Sequence, residues 1–414
     1  MLLNSSDAAG AEAETSVGLG APALSAAARF EADLEACREL IRTGSHSFYA
    51  ASRLLPSRVR RPAFALYAFC RLTDDAVDLD ADGMPRGEVR TEADQARARA
   101  TLERLHERLD LVYAGRPIDE PADRAFAAAV AHFEIPKTLP AALLDGYAWD
   151  LAGRRYETLS EVRAYSARVA GSVGAMMSVL MGARSGPMLA RACDLATAMQ
   201  LTNIARDVGE DARAGRLYLP RAWMAEAGLD PDAWLAKPRF SKALGSVIAR
   251  LLAEADRLYI RSEAGIAALP VDCRPAIYAA RYIYAEIGRE VARAGFDSVA
   301  ARASTSTATK LLLIGRSLRA SVTPRPWDSS PALSELAYLV DAAAISERDA
   351  PEAGGDGMAA EAAVRAGAWP PDLAQLDRVL DVFVRLSQED SERRALQQAR
   401  GSGRRAVGGG PVGA

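Results

Sequence analysis

Residues 61–78 read RPAFALYAFCRLTDDAVD, a run of Ala, Leu, Phe and Tyr that closes on three aspartates. Pro62 suits a first-turn position, and nothing in the run alternates as a strand would, so the segment reads as an apolar helix opening near Arg61. Asp74 and Asp78 are four residues apart and therefore stand one turn above each other on a single face, with Asp75 beside them. Like charges at this spacing repel, and partial burial disfavours their ionised forms further, so something positive must compensate. Taken alone, the pattern fits a solvated helix edge as well as it fits a site.

A second stripe shifts that balance. In QLTNIARDVGED, residues 200–211, the spacing sets Gln200, Asn203, Asp207 and Asp211 on one ridge, with Arg206 and Glu210 on the adjacent row. Such a ridge supplies oxygen ligands only. Oxygen donors without nearby imidazole or thiolate suit a hard cation such as Mg²⁺, which keeps several waters and shares its remaining sites with phosphate. With only three histidines in the chain, His46, His106 and His132, a zinc centre is not expected. Two carboxylate clusters, each unfavourable alone, make sense together if they face one another across a cavity and are bridged by metal ions and a diphosphate. Arg71 one turn before Asp74, Arg206 within the second stripe, and Ser47, Tyr49 and Arg53 in GSHSFYAASRLLP offer phosphate-binding groups.

The whole chain sets the frame. Its 414 residues are half hydrophobic and only 6% aromatic, with Ala and Leu abundant, which points to an all-α domain with a sizeable core. With 51 Lys+Arg against 54 Asp+Glu there is no overall field to recruit nucleic acid, so any anion recognition is local. The cysteines Cys37, Cys70, Cys193 and Cys273 are widely spaced and form no Cys-x-x-Cys, as expected in a reducing cytoplasm. The first residues carry no secretory signal, and the longest apolar stretch, residues 171–182, is too short for a hydrocarbon core of roughly 30 Å. The protein is therefore expected to be soluble or peripheral. Residues 1–29 read as a flexible leader, 30–320 as one domain, and 321–414 as a mostly disordered tail. Within that tail ALSELAYLVDAAA and DLAQLDRVLDVFVRLSQEDSERRALQQAR keep apolar spacing suited to docked helices. Helices are expected over residues 30–56, 94–113, 122–134, 140–156, 160–181, 187–211, 241–269 and 275–294, punctuated by Pro and Gly.

The segments CRELIRTGSHSFYAASRLLP, ALYAFCRLTDDAVD, YSARVAGSVGAMMSVLM, AMQLTNIARDVGEDARAGRLYLP and LPVDCRPAIYAARYIYAEIG together resemble the squalene/phytoene synthase family over roughly residues 30–318. The resemblance implies a single-domain, all-α isoprenoid-synthase bundle around a central active-site cavity. It implies Mg²⁺, with Mn²⁺ as a substitute, held by Asp74, Asp78, Asn203, Asp207 and Asp211. It implies diphosphate contacts from Ser47, Tyr67, Arg71, Gln200, Arg206, Tyr284 and Arg302, with Tyr282 as a competitor for the place of Tyr284. The implied reaction is head-to-head joining of two geranylgeranyl diphosphates through a cyclopropyl-carbinyl diphosphate; the alternative is the same chemistry on two farnesyl diphosphates. No nicotinamide cofactor is expected, because no Gly-x-Gly-x-x-Gly turn joins a strand to a helix. A cation intermediate needs a dry chamber, for which the small residues and Met of residues 170–181 are suited. A long hydrocarbon product also implies a peripheral contact with lipid.

Overall fold

A computed structural model of the chain describes residues 25–44, 49, 51–82 and 91–344. Ser47, most of the leader, the segment beginning DLAQLDRVL and the Gly-rich end lie outside the described residues. Those described form helices and no strand. In chain order they are α1 (Ala26–Gly44), α2 (Ser57–Asp82), α3 (Glu92–Tyr113), α4 (Pro121–Phe133), α5 (Thr138–Leu151), α6 (Leu159–Ser166), a π turn (Ala167–Gly171), and α7 (Ser172–Leu180). There follow α8 (Gly186–Arg213), α9 (Arg221–Glu226), α10 (Pro231–Ala236), α11 (Lys242–Ala268), α12 (Arg274–Arg293), α13 (Thr307–Ser321) and α14 (Ala337–Ala343).

The long helix α8 is the centre of the bundle. It packs against α7, α11, α12, α14 and the π turn, and buries Ala198, Leu201, Ile204, Ala205 and Val208. Pro187 pre-sets its first turn, and Gly215 just beyond its end takes φ +75°, a conformation that closes a helix at little cost for glycine. A smaller apolar cluster of Leu34, Cys37, Ile41, Phe64, Ala65, Ala68 and Ala125 joins α1, α2 and α4.

Three features differ from the sequence expectation. The helix expected to open at Arg61 starts at Ser57, with Pro62 inside it, close enough to the start to remove few backbone bonds. The helix expected over 140–156 stops at Leu151, where Gly153 turns into the left-handed region. The helix expected over 160–181 is interrupted by the π turn, which adds a residue to the ladder where α5 crosses. The crossing is so close that a Cβ on Gly146 would lie 2.5 Å from Val169 Cγ1.

Part of the segment beyond residue 320 is docked on the bundle. Residues 324–344 return across the bundle as a strap, and α14, the helix expected within ALSELAYLVDAAA, buries Leu336, Leu339 and Ala343 against α8, α7 and α5. The strap is tied down by charge. Arg191, fully buried on α8, pairs with Asp194 at 2.9 Å and with Asp328 of the strap at 2.9 Å, and Arg261 reaches both Asp194 and the Pro331 carbonyl at 3.1 Å.

Candidate active site

On α2, Arg71 Nη2 lies 2.6 Å from Asp75 Oδ1 and its Nε donates to Asp75 Oδ2 at 3.0 Å, while Asp74 is 3.9 Å away. Asp75, which spacing placed beside the stripe, is thus the carboxylate that takes this guanidinium. Tyr67 stands one turn earlier on the same row, its hydroxyl against Gly44 at the end of α1. Asp78 continues the same helix, and its side chain lies outside the description.

The ridge on α8 has Gln200, Asn203, Asp207 and Asp211 half-buried, as its spacing requires. Asn203 donates from Nδ2 to Gln200 Oε1 at 3.5 Å, and its own Oδ1 is buried without a hydrogen-bond partner. Asp207 is gripped from two sides. Arg206 donates to both its oxygens, at 2.7 and 2.5 Å, and Arg302 does so at 2.7 and 3.2 Å. Tyr284 on α12 faces the same group: burial pushes its hydroxyl up, the Arg206 charge opposes that, and Asp207 adds to it. Tyr282, two residues away and so on the opposite side of the helix, stacks on Tyr278 and carries Arg316 4.3 Å over its ring. Tyr284 is the one of the pair at the site.

Arg302 arrives because Gly209 lets it. The Gly209 N–H donates to the Ser298 carbonyl at 3.0 Å, and a Cβ at this position would lie 2.5 Å from the Val299 carbonyl oxygen and 2.7 Å from Val299 Cα. Those are backbone atoms with nowhere to swing, so Gly209→Ala must push the loop, and Arg302 with it, away from α8. Misplacing a binding group by about 1 Å costs up to roughly a hundredfold, so a fall of tenfold or more in turnover is expected. Steady-state kinetics on Gly209→Ala check this, and unchanged rates would mean that the loop contact is dispensable.

A further set of residues went unnoticed in the sequence. Asp150 on α5 accepts hydrogen bonds from Tyr165 Oη at 2.8 Å and Tyr218 Oη at 2.7 Å, whose rings stack 4.9 Å apart. Burial first, and then the Asp150 charge, raise both hydroxyls well above the usual phenol range. Nothing in the spacing of DGYAWD marks Asp150, because its partners come from distant segments. Asp150 also connects the stripes. Its charge adds to that of Asp207 on Asp211, while three residues earlier on α5 the Tyr147 hydroxyl feels Asp74 and donates to the Cys70 carbonyl at 3.2 Å. Both acidic stripes thus border α5.

The sequence profile of the squalene/phytoene synthase family matches residues 41–310. The chain belongs to the squalene/phytoene synthase family. It is 58% identical over 319 residues to a phytoene synthase of Cereibacter sphaeroides, covering 76% of this chain and 88% of the relative. It is 56% identical over 319 residues to a phytoene synthase of Rhodobacter capsulatus, covering 76% of this chain and 91% of the relative. Among solved structures, a ligand-bound dehydrosqualene synthase superposes with a TM-score of 0.60 at 29% identity, covering 70% of this chain and 96% of its own. The all-α isoprenoid-synthase architecture expected from the sequence is the fold this squalene/phytoene synthase adopts.

The residues fit a hard cation. Asn203 presents a buried oxygen with no partner, and burial, then Asp207, push the Asp211 carboxyl up to about 8 against the pull of Arg216. Among the described residues no imidazole competes: His106 bonds its own helix at the Leu102 carbonyl, and His132 stacks on Phe133. Among the described residues no three of His, Cys, Asp or Glu converge; Arg206 and Arg302 hold Asp207, and Arg71 holds Asp75.

A pH dependence follows. Native Asp211 keeps its proton up to about 8, whereas in the unfolded chain it ionises near the ordinary value of about 4. Between these limits the native state binds more protons, so this group's contribution to stability is complete below the lower value and is lost as pH rises through the upper one. In chelator, the thermal midpoint of the wild type should fall across that window relative to Asp211→Asn, and Mg²⁺ should restore it most at the alkaline end. Parallel profiles for the two proteins would remove Asp211 from the account.

Proposed function

We propose that the chain is a prenyltransferase that condenses two geranylgeranyl diphosphates to phytoene, through a cyclopropyl-carbinyl diphosphate, in carotenoid biosynthesis. The observation that carries this reading is the arginine-gripped carboxylate ridge of α8, in a chain more than half identical to two phytoene synthases. Two diphosphates and two protons leave per product and no electrons are exchanged, so no nicotinamide cofactor is called for.

Asp74, Asp78, Asn203, Asp207 and Asp211 would hold Mg²⁺, or Mn²⁺ in its place, which when bound supplies Lewis-acid polarisation of the diphosphate oxygens. Every other task falls to the chain. Arg71, Arg206 and Arg302 grip carboxylates in the free protein, and the same forks turn to diphosphate oxygens as negative charge grows on the leaving group. Ser47, Tyr67, Gln200 and Tyr284 orient the diphosphate. Asp150 holds the Tyr165 and Tyr218 hydroxyl protons, which keeps these phenols neutral beside a cation. The Gly, Ala and Met residues of α7 exclude water, and its two serine hydroxyls are engaged by the Arg168 and Ala183 carbonyls.

Feeding C15 and C20 diphosphates separately and identifying the hydrocarbon tests the reading. C40 phytoene from the C20 donor alone is expected; C30 product alone would place the enzyme with the farnesyl-using synthases, of which the dehydrosqualene synthase above is an example. We further place the protein in the cytoplasm in peripheral contact with lipid, since all four cysteines are unpaired, the product is insoluble in water, and among the described residues no helix is long and apolar enough to cross a membrane.

A further inference from the structure

Every charged side chain from Ser298 to Trp327 is basic: Arg302, Lys310, Arg316, Arg319 and Arg325. Within this stretch α13 is amphipathic in an unusual sense. Its inner face buries Leu313, Ile314, Ser317 and Ala320. At 100° per residue its outer stripe carries Ala308, Leu312, Gly315, Arg316 and Arg319, and the stripe ends at Val322; all six are exposed. Leu312 and Val322 are each 76% exposed, and Trp327, which follows Pro326 near the start of the strap, is 52% exposed. Water gains nothing from large apolar groups displayed in this way, and here they alternate with cations.

From this geometry we propose that the outer face of α13 and the adjoining residues 322–327 form the surface by which the protein rests on an anionic lipid bilayer. The proposal rests on the synthase reading for its purpose, the delivery of a water-insoluble hydrocarbon, and on the surface chemistry for its location. A helix that lies in a membrane interface carries leucine-type and tryptophan side chains to enter the acyl boundary and cations to meet the headgroups. Both kinds are present on one face. Arg302 and Arg325 are already paired, with Asp207 and Glu263, so the cations that this face offers outward are Arg316 and Arg319 of its stripe. Along the chain the surface adjoins the site: α13 follows directly on the loop whose Arg302 grips Asp207, while Arg316 of its outer stripe covers the Tyr282 ring on the other side of α12.

The test is flotation of the full-length protein with vesicles of phosphatidylcholine alone and of phosphatidylcholine mixed with phosphatidylglycerol, alongside product formation from substrate dispersed in detergent. Wild type should float with the anionic vesicles and far less with the neutral ones. The double variant Leu312→Ser/Trp327→Ser, and separately Arg319→Gln, should each weaken flotation by roughly tenfold, while thermal midpoint and turnover in detergent stay unchanged. Variants that float like the wild type would overturn the proposal. So would flotation abolished by removing residues 345–414 but indifferent to these substitutions, or a wild-type dimer that the double variant converts to monomer. The two readings fail separately: wild type that makes no C40 hydrocarbon in detergent refutes the synthase assignment whatever the vesicles do, whereas product formed equally by proteins that all float alike refutes only the lipid surface.

Discussion

Replacing Asp207 with Ala should lower product formation by roughly a thousandfold or more while leaving the helical fold in place. Asp207 is the point at which the site's charges meet. It accepts from Arg206 beside it on α8 and from Arg302, delivered from 95 residues away, and it stands between Asn203 and Asp211 on the one ridge with a partnerless buried oxygen and a carboxyl that burial has made reluctant to ionise. Removing this carboxylate takes away a ligand from the centre of the proposed metal set and releases two guanidinium groups with no fixed direction. Asp207→Asn separates these effects, because the amide oxygen still accepts from one arginine but carries no charge for a cation. Mg²⁺ is expected to raise the thermal midpoint of the wild type and of neither variant. Turnover by either within a few-fold of the wild type, measured at saturating Mg²⁺, would remove the carboxylate ridge from the chemistry.

Arg191→Met should cost about 3–5 kcal/mol of stability, the usual result of leaving one member of a buried ion pair without its partner. Arg191 and Asp194 both have fully buried side chains, and burial raises the Asp194 carboxyl against the pull of Arg191 and Arg261. Without Arg191 that carboxyl keeps only Arg261, and the strap loses its tie at Asp328. The strap is where the effect should be visible, since it seats Leu336 and Leu339 against the π turn at Gly171. The double variant Arg191→Met/Asp194→Asn should recover part of the loss, because the buried charge leaves with its partner. Denaturant unfolding of the three proteins forms the cycle. A single variant as stable as the wild type would show that the network does not hold the strap.

How far the sequence could be read depended on distance along the chain. The ridge of Gln200, Asn203, Asp207 and Asp211 was legible because helical period alone aligns residues three and four apart. Helix ends are fixed by local caps, such as the Ser241 hydroxyl of α11, which accepts from the Leu244 N–H at 3.1 Å, and the Thr91–Asp94 capping box of α3, which starts that helix two residues before the expected position 94. The π turn within residues 160–181 was not legible, because it answers the close crossing at Gly146 and not any residue of its own. Asp150 was missed for the same reason: its role comes from Tyr165 and Tyr218, which reach it from two other segments. The glycine at 209 looked like an ordinary interruption of a helix, and only the loop lying on it shows why a side chain would not fit. Residues 324–344 read as part of a loose tail because their composition is loose, yet Asp328 and Leu336 fasten them to the bundle.

Sequence by itself therefore determined the all-α class, the two carboxylate stripes and the family, since each rests on helical period or on motifs carried within a few turns of chain. Tertiary structure decided which arginine grips which carboxylate, how Asp150 links the two stripes, and where the strap and the basic-apolar face of α13 lie. Charge pairing and close packing act over a few ångströms in space, and residues 207 and 302 become neighbours only once the bundle has closed.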